Sequence, residues 1–185
     1  MARALACKAK VYRDMLIGEW STASIFVEPM VRGLGWDTLD IDQVGRESRR
    51  AGKKQVGDIH LLVRSAAGQS TLRVLLEVKH LDWQDRHLES RALPKFRSDV
   101  NERLLRGNDP YNLRVRPAPV DGWLLRGVLT NGRLWLVYDF LPDPAEGSID
   151  KGIGRFELSE SLGQQELADF SQLLCREAIL RRARG

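Results

Sequence analysis

The sequence predicts an α/β fold in which a central mixed β-sheet is flanked by helices. Periodicities along the chain give the order helix, three strands, helix, two strands, helix, which is typical of a sheet covered on its faces. The segment LRVLLEVK at residues 72–79 is apolar on both faces until its last residues, as a central strand is. The 185 residues suffice for one domain with a hydrophobic core, so we treat residues 1–185 as a single domain.

Composition favours a cytoplasmic protein. Hydrophobic residues make up 43% and charged residues 29% of the chain, which is ordinary for a globular domain. No apolar run approaches the roughly 20 residues of a membrane helix, and the N-terminus has no apolar signal-peptide segment. Cys7 and Cys175 lie far apart, without the neighbouring Cys or His that a zinc site needs. We therefore expect no membrane partner.

The first elements are predicted to be helical. Residues 1–18 form a helical N-terminal extension, and Gly18 separates it from a second helix over Glu19–Leu34. The apolar side of this second helix consists of Ile25, Phe26, Met30, Val31 and Leu34. Pro29 should kink the helix or mark its restart, and Gly33 and Gly35 should end it. The core of the domain spans residues 19–140.

Three strands follow, the first near residues 43–48 and the next two forming a β-hairpin over residues 57–79. Folding the hairpin about Ala67 and Gly68 gives apolar cross-strand pairs: Ile59 with Leu76, Leu61 with Val74, and Val63 with Leu72. Asp58 then falls opposite Glu77, a like-charge pair that stability alone would avoid. Lys79 lies on the same side of its strand as Glu77. Two carboxylates and one ammonium at this end of the hairpin predict a site for a hard divalent cation.

The rest of the chain is predicted to alternate between connections, a helix and two strands. Residues 80–90 form an irregular connection, Pro94 starts a helix that continues through residues 95–105, and residues 107–122 form a surface connection. Two apolar strands within residues 123–140 are joined by a tight turn at Asn131-Gly132, and DPAEGS at residues 143–148 is a loop. Residues 160–183 form one C-terminal amphipathic helix with the apolar side Leu167, Phe170, Leu173, Leu174 and Ile179.

Basic residues favour contact with a polyanion. The net charge is +4, and two basic bands flank the hairpin in sequence. The members of these bands that we predict to bind nucleic acid are Arg46, Arg49, Arg50, Lys53 and Lys54 before the hairpin, and Lys95 and Arg97 after it. Each side chain alone would be interpreted as solvated surface. Two bands around an acidic site are the distribution that phosphate contacts would use.

The order of several landmarks resembles a known nuclease family. Gly57-Asp58, followed by Glu77-Val78-Lys79, resembles the PD-(D/E)XK nuclease signature. With Glu19, FVEPMVRGLGWD at residues 26–37 and VLTNGRLWLVYD at residues 128–139, the set resembles the N-terminal nuclease domain of type I restriction enzyme motor subunits over about residues 19–140. Three features depart from the family: Gly57 replaces the motif's proline, no Gln-x3-Tyr motif follows the site, and the helicase P-loop is absent from the sequence.

The resemblance implies a restriction-endonuclease-like fold and an endonuclease that hydrolyses DNA phosphodiester bonds with Mg²⁺, for which Mn²⁺ would substitute. The site residues carried over are a catalytic set and a metal-binding set: Asp58, Glu77, Lys79 and Glu19 for catalysis, and Asp58, Glu77 and the Val78 carbonyl for one or two ions. Lys79 would orient or help deprotonate the attacking water. Glu47 is a weaker candidate. Lacking a motor, the chain would act alone or with restriction-modification or motor proteins.

One alternative keeps the fold without the activity, as a catalytically silent DNA-binding or complex-assembly module. The intact Asp58, Glu77 and Lys79 favour the enzyme. Trp83, in the connection after the site, is the aromatic residue we expect to contact substrate, whereas His60 is expected to be a satisfied interior histidine. Both single- and double-stranded DNA fit these features. If like-charge repulsion dominates, Asp58→Ala should raise the stability of the metal-free protein.

Overall fold

A computed structural model describes residues 4, 5, 7, 12, 18–46, 57–64, 70–101, 125–143, 147–159 and 162–184. Its strands are β1 (Val44–Arg46), β2 (Ile59–Arg64), β3 (Ser70–Val78), β4 (Leu125–Thr130), β5 (Leu134–Asp143) and β6 (Gly147–Glu157). They form one six-stranded sheet in the order β1-β2-β3-β4-β5-β6. Neighbouring strands are antiparallel except β3 and β4, which are parallel. The predicted mixed sheet is confirmed.

Helices cover both faces of this sheet. From residue 18 onward, the described helices fall into three groups: α1 (Glu19–Thr22) and α2 (Glu28–Gly33); α3 (Asp85–His87) and α4 (Leu93–Asp99); α5 (Gln164–Leu174) and α6 (Arg176–Arg184). Side chains from the first and third groups, including Phe26, Phe170 and Ile179, pack with one face of the sheet. The middle group packs on the other face through residues such as Leu88 and Phe96. The chain is therefore an α/β fold with helices on both sides, as predicted.

Each of the first two helical groups contains a π-helical turn, Ala23–Val27 in one and Leu88–Ala92 in the other. Each turn includes the residue four positions before a proline, Ile25 before Pro29 and Ser90 before Pro94. A proline lacks the N–H that this residue's carbonyl would use, and its ring crowds that carbonyl. A wider turn accommodates both effects. The predicted interruption at Pro29 is thus a π turn just before α2, and Gly35 ends the helical segment with a φ of 88°.

The predicted register of the hairpin is correct at the end near Asp58. Ile59 pairs with Leu76 and Leu61 with Val74, but an irregularity after Leu61 shifts the remaining pairs. The predicted pairing of Val63 with Leu72 is therefore wrong, because Val63 pairs with Thr71. The predicted turn at Ala67 and Gly68 lies outside the described residues.

The last strand, β6, was not predicted from the sequence. Its segment GSIDKGIGRFE contains three glycines and four charged residues, so its apolar signal is weak. It nevertheless pairs with β5 from Gly147 to Glu157. A Cβ at Gly154 would lie 2.4 Å from Phe156 Cε2 and 2.9 Å from Leu173 Cδ1, so these two side chains occupy the space that the glycine leaves. The predicted loop at residues 143–148 is wrong where it is described, because Asp143 and Gly147 belong to paired strands.

Two helix predictions also need correction. Helical structure begins at Asp85 rather than at Pro94, because Leu88 and Ala92 extend the buried side of the later helix. The C-terminal segment is two helices rather than one, separated at Cys175, whose backbone is extended. The carbonyls of Leu173 and Leu174 there accept hydrogen bonds from Arg126 Nη1 and Trp36 Nε1. These contacts come from distant residues, so local periodicity does not indicate the break.

Candidate active site

The hairpin brings Asp58 against the end of β3. Gly57 has a φ of 74°, and a Cβ there would lie 2.3 Å from Leu75 Cδ1. A proline, with φ fixed near −65°, does not fit this backbone, which accounts for the glycine at this motif position. Asp58 N–H then donates to Leu76 O at 2.8 Å. Its Oδ2 accepts a hydrogen bond from Val78 N–H at 2.6 Å.

Lys79 lies between two of the predicted site carboxylates. Its Nζ is 2.6 Å from Glu77 Oε1 and 3.1 Å from Glu19 Oε1. The Lys79 and Glu77 side chains are 12% and 14% exposed, whereas Glu19 is 36% exposed. The cluster therefore opens to solvent on the side of α1. The structure brings together Glu19, Asp58, Glu77, Val78 and Lys79, all of which were predicted from the sequence.

Two opposed effects act on the pKa of Lys79. Burial lowers this pKa because it removes water from the ammonium, but the charges and hydrogen bonds of Glu77 and Glu19 outweigh burial. The net effect raises the pKa above the ordinary lysine value. Lys79 is therefore a firmly protonated ammonium at neutral pH.

Backbone and hydroxyl contacts hold the cluster on its scaffold. Lys79 N–H donates to Thr130 O at 2.8 Å, which continues the parallel pairing of β3 with β4 beyond Val78. Leu81 N–H donates to Thr22 Oγ1 at 3.1 Å, and that hydroxyl donates to Gly18 O. The first turn of α1 is thereby fixed over the chain that follows Lys79.

The turn between β4 and β5 lies at the same end of the sheet as Lys79, and the predicted tight turn at Asn131-Gly132 is confirmed. Gly132 has a φ of 84°, and a Cβ there would lie 3.0 Å from Phe26 Cβ. Asn131 Oδ1 accepts from the N–H groups of Arg133 and Leu134, and its Nδ2 donates to Trp83 O at 2.9 Å. Arg133 Nη2 lies 2.7 Å from Asp85 Oδ1. These contacts join the turn to the segment after Lys79.

The predicted nucleic-acid-binding residues are only partly described. Arg46 pairs with Ile59 across β1 and β2, so it lies at the same end of the sheet as Asp58, and its guanidinium contacts Glu28 at 2.9 Å. Lys95 is exposed on α4, whereas the Arg97 guanidinium lies 5.2 Å from the ring centre of Tyr138. The other members of this set lie outside the described residues, as does the weaker site candidate: Arg49, Arg50, Lys53, Lys54 and Glu47.

The donor chemistry of the site suits a hard divalent cation. Three carboxylates and one ammonium leave the cluster of Glu19, Asp58, Glu77 and Lys79 with an excess of negative charge. Each carboxylate has two oxygens, so a single hydrogen bond does not exhaust its capacity to accept. Within the part of the chain that the structure describes, no three His, Cys, Asp or Glu side chains converge as ligands of one ion. If Mg²⁺ binds here, Asp58 and Glu77 would be its protein carboxylates, and water and phosphate would be its other ligands.

The sequence also led to expectations for His60 and Trp83. His60 is buried, in agreement with the expectation of an interior histidine. Trp83, the aromatic expected to contact substrate, is half-buried and makes an edge contact with His87.

Trp20 is a residue that sequence reasoning missed. It follows Glu19 in the first turn of α1, and it is 80% exposed. In a regular helix Trp20 would lie on one side with Val27 and Val31, both of which are buried. The π turn adds one residue between them and rotates the first turn by about 100°. Trp20 therefore leaves the apolar side, and the proline at position 29 is the only local sign of this.

No helix within the described ranges is long and apolar enough to cross a membrane. No family model, no curated protein and no solved structure matches this chain.

Proposed function

We propose that this chain is a cytoplasmic, divalent-metal-dependent endonuclease with a restriction-endonuclease-like fold that hydrolyses phosphodiester bonds of DNA. The observation that carries the proposal is the convergence of Glu19, Asp58, Glu77 and Lys79 at one end of the sheet. Glu19 and Lys79 are sixty positions apart in sequence. A chance acidic motif would not bring a remote helix carboxylate onto its lysine.

Asp58, Glu77 and the carbonyl of Val78 would hold the ion. When bound, Mg²⁺ or Mn²⁺ stabilises negative charge on the scissile phosphate and eases deprotonation of the attacking water. Asp58 is well oriented for this role, because Val78 N–H fixes one of its oxygens at 2.6 Å. Glu77 is fixed likewise by Lys79. Preorganised ligands lose little conformational freedom on binding the ion.

Lys79 supplies the positive charge that the protein, in addition to the metal ion, contributes to the site. Its ammonium stabilises the charge that develops on the phosphate in the transition state and positions the nucleophilic water through its N–H donors. Because Glu77 and Glu19 hold it protonated, Lys79 acts as a donor and electrostatic stabiliser at neutral pH. Glu19 positions Lys79, since its carboxylate accepts a hydrogen bond from the ammonium at 3.1 Å.

The experiment is cleavage of plasmid and linear DNA with Mg²⁺ or Mn²⁺, with EDTA as the metal-free control. Wild-type protein should cut, and Glu77→Ala and Lys79→Ala should each lower the rate by at least about a hundredfold. Glu177→Gln is the matched control, because it removes an exposed carboxylate from α6, far in sequence from the cluster. This variant should keep the wild-type rate.

Two results would overturn the proposal. Cleavage that survives both Glu77→Ala and Lys79→Ala would place the chemistry elsewhere or in a contaminant. Absence of cleavage with either metal, together with retained binding of DNA, would favour the silent DNA-binding module of the same fold.

A further inference from the structure

We infer that Trp20 is a base-stacking platform and that the preferred substrate of this site has unpaired bases, as single-stranded DNA does. The inference rests on the proposed function and specifies the form of DNA on which it acts. Its basis is the exposed indole of the residue next to Glu19, whose side chain is more exposed than those of Glu77 and Lys79.

Trp20 lies next to the side from which the cluster is reached. Glu19 is the most exposed member of the cluster, at 36%, so the cluster is reached from the side of α1. Trp20 is the next residue, and consecutive Cα atoms are about 3.8 Å apart. Both side chains tilt toward the N-terminal end of the helix, because Cα–Cβ bonds do so in any α-helix. A phosphate at Lys79 therefore brings its neighbouring nucleotides close to Trp20.

The side chain of Trp20 is exposed to solvent. Trp36 and Trp135 are each at most 1% exposed, whereas Trp20 is 80% exposed. The π turn before Pro29 accounts for the exposure of Trp20, since it rotates Trp20 away from the buried side of the helix. Such turns occur often at functional sites. An exposed aromatic face beside a phosphate-binding site is the arrangement by which proteins bind single strands without sequence preference.

An exposed indole favours unpaired bases over base-paired DNA. Base-paired DNA keeps the faces of its bases stacked on one another, so an indole gains little from a duplex. An unpaired base can leave its neighbours and stack on Trp20. Stacking of this kind is tolerant of sequence, because every base has a π face.

The test is binding of labelled oligonucleotides in EDTA, so that binding is measured apart from cleavage. Wild-type protein should bind a mixed-sequence single strand more tightly than the duplex of the same length. Trp20→Ala should weaken single-strand binding by about 5- to 150-fold, which is the loss of one stacked base. Trp20→Phe should retain most of the affinity because it keeps an aromatic ring.

An abasic oligonucleotide separates stacking from general electrostatics. Wild-type protein should bind the abasic single strand as weakly as Trp20→Ala binds the normal one, and Trp20→Ala should not distinguish the two. Leu39→Ala is the matched control, because Leu39 is also a large exposed apolar residue, at 89%, but lies in the loop before β1. It should bind every oligonucleotide as wild type does.

Several outcomes would overturn the inference. These are unchanged single-strand binding by Trp20→Ala, equal losses for single strand and duplex, no metal-free binding of single strands by wild type, or a change of oligomeric state on sedimentation of Trp20→Ala. Cleavage is scored separately. If wild type cuts DNA but Trp20→Ala binds single strands as wild type does, the inference fails and the proposed function stands. If single-strand binding depends on Trp20 but no DNA is cut, the proposed nuclease activity fails and the stacking role of Trp20 stands.

Discussion

Asp58 and Glu77 belong to the same cluster, and each carboxylate has its own hydrogen-bond donor. Val78 N–H donates to Asp58 at 2.6 Å, and Lys79 donates to Glu77 at 2.6 Å. The expectation from the sequence, that Asp58 is a source of repulsion, left these donors out. A charge-assisted hydrogen bond to a backbone N–H favours the folded state, and removing the acceptor leaves that donor without its carboxylate.

We therefore predict that Asp58→Ala lowers the stability of the metal-free protein by about 1–3 kcal/mol. Urea unfolding in EDTA measures this change. Asp82→Ala, which removes an exposed carboxylate from the nearby loop, should change stability by less than about 0.5 kcal/mol. A gain in stability for Asp58→Ala would mean that repulsion from Glu77 prevails.

Lys79 gives a pH dependence of known sign. Its folded pKa lies above the unfolded value, so its pairing stabilises the protein fully below the unfolded pKa of about 10.4 and is lost as the pH rises through the folded pKa. The stability difference between wild type and Lys79→Met should stay constant from neutral pH to about pH 9 and shrink above about pH 10. Urea titrations across this range measure it. A difference that is unchanged into strong base contradicts the prediction.

At the scale of elements, a buried ion pair joins the sheet to the C-terminal helices. Arg126 and Asp139 are cross-strand partners in β4 and β5, with Nε to Oδ1 at 2.7 Å and Nη2 to Oδ2 at 3.0 Å. Arg126 is fully buried and also donates to Leu173 O at the end of α5. The pair therefore fixes both a strand register and the position of a helix.

We predict that Arg126→Met and Asp139→Leu each cost about 3–5 kcal/mol, because each leaves a buried charge without its main partner. The double variant should recover much of this loss, since it removes both charges. Arg155→Met is the control, because Arg155 forms an exposed pair with Glu89 and should cost at most about 1 kcal/mol. A double variant as unstable as the sum of the single ones would show that the two residues are not coupled.

The elements that the sequence predicted well are those whose signal is local. Ile59 and Leu61 alternate with their partners in β3, so the register near Asp58 follows from apolar pairing alone. Gly154 illustrates the opposite case, because it weakens the strand signal of β6, and the space beside it is filled by Phe156 and by the distant Leu173. The break at Cys175 likewise depends on Trp36 and Arg126, which lie far away in sequence.

The residues of the candidate site show the same distinction between local signals and contacts with residues distant in sequence. Asp58, Glu77 and Lys79 share a hairpin, so their convergence could be predicted from spacing, whereas the contact of Glu19 with Lys79 was expected only from a family resemblance. Trp20 could not be found by periodicity, because the π turn displaces it from the position that a regular helix gives it.

At the scale of the whole molecule, an ion that binds the folded state but not the unfolded state should raise the melting temperature. At a concentration of a hundred times Kd, Mg²⁺ or Mn²⁺ would add about 2.7 kcal/mol, and each kcal/mol raises Tm by roughly 2–4 °C for a chain of this size. Glu77→Gln should abolish the rise, and Glu177→Gln should retain it. Calorimetry with and without EDTA measures both. An equal rise in wild type and Glu77→Gln would contradict a metal site at Glu77.

The parallel pairing of β3 with β4 has a consequence for when the site forms during folding. The hairpin that carries Asp58 and Glu77 is local, but residues 79–124 separate β3 from β4, and Lys79 N–H bonds to Thr130 O across that gap. Pairings distant in sequence form slowly, because the loop must close before its contacts form. A partly folded chain would thus have the two acids of the hairpin before Lys79 is anchored. If the proposed function is correct, cleavage of DNA would therefore have to wait until β3 has paired with β4.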